Sequence, residues 1–315
     1  MRPALKPGLL PVWRDRDTLQ IGIDPRRAVA LTGMSDAGCV IGLLDGSRDR
    51  AQVIAAASDR GIPAQLTERV LTLLAAGGAL DDFPAGTYRA LPRQLRARLA
   101  PELAAASLAH GDGDGGARIL ARRRAAYVTL YGGGRLRSGV ADLLTASGIG
   151  ELADAEATGP PSPPAIRPDL AVLLGNPVPE LGASLLRDRI PHLAASAGEA
   201  IGVVGPLVLP GKSACLRCLD LARTDRDPAW PLIFAQLAGR QPDPPACDAS
   251  LAAAVAAQAT AQALAFIDRP GRVGAVTSGT LELVLPAWQW RRRTWLPHPD
   301  CACGRPALHS GEWRS

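Results

Sequence analysis

The sequence predicts an α/β protein in which a small α+β module precedes a doubly wound sheet domain. Three observations carry that expectation. Ala126-Tyr127-Val128-Thr129-Leu130-Tyr131 is an apolar strand run that passes through Gly132-Gly133-Gly134 straight into a helical pattern at 136–146, the opening β-turn-α of a doubly wound sheet. Strand-like and helical stretches keep alternating beyond it. The first 83 residues show a hairpin pattern followed by three helical ones.

In chain order, residues 12–15 and 18–23 have strand character, Asp24-Pro25 breaks the run, and 28–31 closes the hairpin. Helical spacing follows at 40–44, at 49–60 with Val53, Ile54 and Ala57 on one face, and at 65–76 with Leu66, Val70, Leu73 and Leu74 on one face; Gly77-Gly78 stops the last helix. Hairpin then three helices is a winged-helix-like order. Residues 84–120 read as a linker carrying a helix candidate near 92–108 and the glycine-rich run 111–116. The domains are therefore 1–83, the linker 84–120 and the sheet domain 121–315. Within the last, Gly148 ends the first helix, a proline-rich loop covers 158–168, and strands are expected at 169–174, 192–195, 201–208 and 280–285. A helix is expected at 180–189, and the alanine-rich stretch 250–267 is apolar nearly all round and should be a buried helix.

Composition narrows the class. The apolar fraction is 47% and the charged fraction 21%, enough to build a core. The net charge is +5, and of 35 basic residues only Lys6 and Lys212 are lysines. The arginine clusters at 122–124 and 291–293 are short and lack interleaved stacking aromatics, so no nucleic-acid partner is expected. No apolar run reaches the roughly 20 residues of a bilayer span, and the N-terminus lacks a signal h-region, so the expectation is a cytoplasmic protein without a membrane partner.

Six cysteines without an export signal point to metal ligation rather than disulfides. Cys215-Leu216-Arg217-Cys218 and Cys301-Ala302-Cys303 form two close thiol pairs, the donor set of a tetrahedral Zn2+ site, with Gly304 easing the turn of the tighter pair. Four protein ligands leave no open position for water, so the metal role is structural. Cys39 and Cys247 lack close partners and read as buried or incidental thiols. The turn Gly132, Gly133, Gly134, with Gly139 one turn on, stands where a backbone can approach phosphate at a helix N-terminus, although its spacing departs from G-x-G-x-x-G; the alternative is a tight turn without ligand. His110, His192, His298 and His309 are isolated, and His298 stands three residues before Cys301. Trp288, Trp290 and Trp295 suggest packing near a sheet edge.

The glycine turn, Gly148-Ile149-Gly150, Gly205-Pro206-Leu207-Val208 and the two cysteine pairs together resemble the ThiF/MoeB superfamily over about 120–305. The resemblance implies a Rossmann-like ThiF-type domain that adenylates a carboxyl terminus with ATP and Mg2+ and carries a zinc between two cysteine pairs. The run 218–231 is similar to actinobacterial members that serve thiazole/oxazole-modified ribosomal peptides, whose N-terminal module is PqqD-like and binds a precursor leader. That implies a leader edge strand, with 18–23 and the helix after Gln65 as the candidate surface, and a YcaO-type cyclodehydratase as partner; a homodimer is usual for the superfamily. The sequence departs from the adenylating pattern: 150–156 runs into the proline loop without an evident strand, Asp154 is the only plausible aspartate, Arg167 the only nearby cation, and neither lysine falls in the interval. Positioned cations carry phosphoryl chemistry, so the expectation is a degenerate adenylation site in a leader-peptide-binding adaptor. An active ATP-dependent adenylyltransferase and a structural or regulatory zinc protein are the alternatives.

Overall fold

β1 (Pro3–Leu5), β2 (Pro11–Trp13), β3 (Thr18–Ile21) and β4 (Val29–Thr32) open the chain, followed by α1 (Ala37–Ile41), α2 (Arg50–Ser58), α3 (Ala64–Ala76), β5 (Leu80–Asp82), α4 (Arg93–His110) and α5 (Ala117–Ala125). The computed structural model describes residues 1–82, 92–155, 167–175, 179–237, 246–270 and 274–304. The chain separates into two units, Met1–Ala121 and Arg122–Ser315.

In the first unit β2, β3 and β4 make an antiparallel sheet in that order, and β1 pairs with β5. Leu19, Ile21 and Leu31 turn inward by strand alternation and meet Val53 of α2 and Val70 and Leu74 of α3 in one core. The α2 start is fixed by a capping box in which Asp49 accepts from the Gln52 amide and the Gln52 side chain accepts from the Asp49 amide. Within the candidate leader surface at 18–23, Thr18–Ile21 is the central strand, paired on both sides. A strand as apolar as Thr18-Leu19-Gln20-Ile21 is stabilised in the middle of a sheet, and the free edges fall to its neighbours.

The stretch 84–120 holds more than its helix candidate suggested. Leu99 and Leu103 of α4 pack on Leu120. Buried Lys6 donates to the Ser107 carbonyl at 2.7 Å, Ser107 Oγ donates to Asp81 at 2.7 Å, and Lys6 Nζ stands 3.5 Å from Asp81. The triad binds α4 to β1 and β5; one partner alone would leave a buried charge, which is strongly unfavourable.

The second unit runs β6 (Tyr127–Tyr131), α6 (Gly134–Ala146), β7 (Glu151–Ala155), β8 (Leu170–Leu174), α7 (Pro179–Arg187), β9 (His192–Gly198), β10 (Ile201–Val208), α8 (Leu216–Thr224), α9 (Trp230–Leu237), α10 (Ala249–Asp268), β11 (Gly279–Val284) and β12 (Gln289–Thr294). The seven strands lie in the order β12-β11-β10-β9-β8-β6-β7. Only β7, β6, β8 and β9 are parallel; β10, β11 and β12 each run antiparallel to their neighbours, so the sheet is mixed and the doubly wound part is its first half. Residues 151–155, expected to run into a loop, form β7. A polar edge strand needs no apolar run, which is why the Glu-Leu-Ala-Asp-Ala pattern hid it. The proline loop lies mostly outside the described residues.

α10 lies on the sheet: a Cβ on Gly202 of β10 would come 2.4 Å from Val255 Cγ2, so only glycine admits the helix this close. By length and composition α10 is long and apolar enough to cross a bilayer, yet Leu251, Val255, Ala256, Ala259 and Ala263 are buried in the sheet core. Its last residue, buried Asp268, accepts two hydrogen bonds from Arg123, at 2.8 and 2.7 Å.

Candidate functional site

The strand directions bring the two cysteine pairs together. β10 and β12 both run antiparallel to β11 and therefore leave the sheet at the same end. Val208, the last residue of β10, pairs with His192, the first of β9, so that end is the amino-terminal end of the parallel strands. Cys215 and Cys218 follow β10 at the start of α8, and Cys301 and Cys303 follow β12 in a short 3-10 turn, Ala302–Gly304.

The four sulfurs lie within 4.8 Å of one another. Cys215 Sγ is 3.7 Å from Cys218 Sγ and 3.6 Å from Cys301 Sγ, and Cys218 Sγ is 3.3 Å from Cys303 Sγ. Metal–sulfur bonds of ~2.3 Å give a regular tetrahedron edges of about 3.8 Å, so the donor set and its spacing fit one metal ion. Among the described residues no further His, Cys, Asp or Glu joins this cluster. Burial pushes the Cys215 thiol far above its ordinary range and that of Cys303 up to about 12. It opposes ionisation of Cys218 too, but hydrogen bonds from the backbone at His298 and Cys215 and from neighbouring thiols outweigh it and lower that pKa. A bound cation would supply the charge that ionising the buried set requires.

The cage is also a small core, with Val208, Ala214, Leu219 and Trp295 around it. Trp295, expected in packing, is buried and donates its indole N–H to Thr280 Oγ1 at 3.0 Å. Trp288 and Trp290 lie at the surface instead. His298 is outside the ligand set. Its Nδ1 accepts from the Asp300 amide, which leaves Nε2 to donate to Asp225 at 2.9 Å.

The glycine turn lies at the opposite, carboxyl-terminal end, where the strand order reverses between β6 and β8. Its three glycines differ. Gly132 has φ +108°, and a Cβ there would meet the Leu174 carbonyl oxygen at 2.0 Å, so it is required by the fold. Gly133 and Gly134 face open space, and Gly133 caps α6 without a side-chain hydrogen bond. Gly139 sits apart from the turn, on the α6 face where a Cβ would come 3.0 Å from the Ala256 Cβ, and serves helix packing. At the end of β7, opposite Leu130, Asp154 forms an ion pair with Arg137 of α6. Sequence reasoning named Asp154 but missed the strand that presents it. The signal was available in the glycine-to-acid spacing of about 20 residues that doubly wound nucleotide sites use. Arg167 Nη2 donates to the Arg189 carbonyl at 2.7 Å. Lys212 follows β10 and so stands at the cysteine end, far from the turn.

No family model and no curated protein matches the chain. Solved structures do. The heterocyclase TruD is similar at 18% identity with a TM-score of 0.67, covering 96% of this chain and 43% of TruD. A heterocyclase in complex with substrate and cofactor gives 18% identity and a TM-score of 0.69 over 96% of this chain and 39% of that one. E. coli MccB with AMPCPP and MccA gives 13% identity and a TM-score of 0.66 over 96% and 99%. The chain thus spans less than half of the heterocyclases and nearly all of MccB, and the likeness is one of fold.

Proposed function

We propose that the chain is a leader-peptide-binding adaptor of ribosomal peptide biosynthesis, of the type that serves thiazole/oxazole-modified peptides in actinobacteria. In this reading a PqqD-like module at 1–83 captures the precursor leader, 84–120 connects it, and a ThiF-like domain at 121–315, stapled by structural zinc on Cys215, Cys218, Cys301 and Cys303, presents it in the cytoplasm to a YcaO-type cyclodehydratase. Self-association through the sheet domain accompanies it. The likeness to a heterocyclase and to MccB, the latter also solved with N-formylated MccA as a microcin C7 biosynthetic enzyme, supports this line of work.

The observation that carries the reading is the free edge of β4. The Gly22 amide donates to Leu10 and the Arg14 amide to Thr18, so the bonded pairs between β2 and β3 fall on every second residue and include Val12 with Gln20. Leu19 and Ile21 therefore bond β4, and the main-chain groups of Ala30 and Thr32, both exposed, face outward. At the other edge, β2 presents Pro11, which has no N–H to donate. An extended leader adds to β4 by main-chain hydrogen bonds, beside the end of α3, where Gly77 abuts Val29. Fluorescence anisotropy with a labelled leader peptide of a thiazole/oxazole-modified precursor tests it: Ala30→Pro should abolish binding, and unchanged binding overturns the assignment.

A second reading, an ATP-dependent adenylyltransferase using Gly132, Gly133 and Gly134 with Mg2+, is favoured by Asp154 on β7. Against it, Arg137 occupies that carboxylate, Lys212 stands at the wrong end of the sheet, and Lys6 is buried against Asp81. ATP-dependent pyrophosphate exchange discriminates: turnover favours the enzyme, and its absence together with leader binding favours the adaptor.

A further inference from the structure

We propose that the β12 edge of the sheet is a second docking strand, which takes an acidic, extended segment of a partner polypeptide as an eighth strand. The inference stands on the C-terminal unit and does not rest on leader capture at β4.

All six residues of β12 are exposed, and the strand closes one side of the sheet. The Trp295 amide donates to Ser278, and the register sets Arg293 opposite Thr280 and Arg291 opposite Glu282. Alternation makes these the bonded pairs, which turns the main-chain N–H and C=O of Trp290 and Arg292 away from the sheet. No proline blunts this edge, unlike β2. The backbone offers a ladder.

Side chains define what fits it. Arg291 and Arg293 share a face with Glu282 and Val284, and the four line an open groove of about 500 Å3 together with Arg292 and Thr294. Glu282 is the one acid in that lining, 3.5 Å from Arg293. Positive charge continues along the unit: the guanidinium carbons of Arg223, Arg226 and Arg293 lie 5.5, 5.8 and 5.5 Å from the centre of the Trp295 ring. Apolar surface is left beside it, with Val284 47% and Trp290 36% exposed. A second copy of β12 would set three arginines against three arginines, which like-charge cross-strand pairing disfavours. An acidic strand meets both the ladder and the charge.

The test uses the full zinc-loaded chain and two labelled, end-blocked decapeptides, one alternating Glu and Thr and one alternating Lys and Thr, followed by fluorescence anisotropy. The expected result is binding of the Glu peptide alone, weakening steeply as salt rises, with a loss of about tenfold or more in R291E/R293E, which keeps the inner ladder, and a similar loss in W290P, which removes an outward N–H. Zinc content and far-UV circular dichroism confirm that the charge-reversal variant is folded. A30P should bind the Glu peptide as the parent does. Equal binding of the Lys peptide, no binding of either, full binding by R291E/R293E, or loss in A30P overturns the proposal. So does a dimer of the parent, by light scattering, that R291E/R293E abolishes, since a second copy would then own the edge.

Discussion

The two ends of the seven-stranded sheet differ in what they leave open. At the amino-terminal end of the parallel strands, four thiols converge within 4.8 Å inside a small apolar core, a donor set that could fill the four positions of a tetrahedral metal ion. At the carboxyl-terminal end, Gly133 and Gly134 open onto space, and Asp154 beside the turn is held by an arginine. A closed donor set contributes folding free energy, because its ligands cannot gather in the unfolded chain. An open end contributes little to stability and retains the freedom to meet a ligand. Stability and ligand binding should therefore respond to mutation at opposite ends.

The largest effect is expected at the closed end. Cys218→Ser should reduce bound zinc from one equivalent to none by mass spectrometry of the metal. It should also lower Tm by about 10 °C or more, the shift that a loss of several kcal/mol gives a unit of this size. A variant that loses zinc yet melts like the parent would break the comparison.

Gly132→Ala should come next, and it divides the open end. Its Cβ would collide with the Leu174 carbonyl at a φ that L-residues avoid, a cost on the order of 3 kcal/mol, or roughly 6–12 °C in Tm. Gly133→Ala, with extended backbone and open space around it, should stay within about 0.5 kcal/mol of the parent by urea unfolding. Equal losses at the two positions would mean that the whole turn is built for the fold.

His192 sharpens the contrast from the closed end. Its ring is fully buried at the start of β9, Nδ1 lies 2.9 Å from the Ile190 carbonyl oxygen, and Nε2 has no hydrogen-bond partner, so burial pushes its pKa from 6.5 down to about 4. The unfolded chain takes up that proton first. Stability is therefore intact above about pH 6.5 and falls as the pH drops toward 4, by up to about 3 kcal/mol. Urea midpoints at pH 7 and pH 5 should differ less for His192→Gln than for the parent, and equal differences would show that the ring is hydrated in solution.

These contrasts follow the grain of what the sequence could show. Apolar runs announce central strands, and β6, β8, β9 and β10 were readable for that reason, as was α10 with its unbroken alanine. The edges were not: β7 is Glu-Leu-Ala-Asp-Ala and β12 is Gln-Trp-Arg-Arg-Arg-Thr, because an edge strand is bonded on one side and exposed on the other. Pairing direction escaped for a different reason. Whether β10 returns antiparallel depends on a short turn at 199–200, where Glu199 and Ala200 both adopt positive φ without a glycine to signal it. The cysteine pairs were legible because thiolate spacing is local within each pair. Their union was an inference from chemistry, and the common exit of β10 and β12 supplies its geometry.

The smallest stability effect, and the most informative one for function, is expected at Asp154. Its side chain is 68% exposed, so Asp154→Asn should cost no more than a few tenths of a kcal/mol despite losing the Arg137 pair. Titration calorimetry with ATP and Mg2+ then separates the two functional readings at a single residue. In an adaptor the parent gives no heat and the variant changes nothing. In an adenylyltransferase the parent binds and Asp154→Asn loses that binding, while Arg137→Ala, which frees the carboxylate, strengthens it. A carboxylate that contributes little to the fold is thus the one whose replacement reports whether the open end takes a nucleotide.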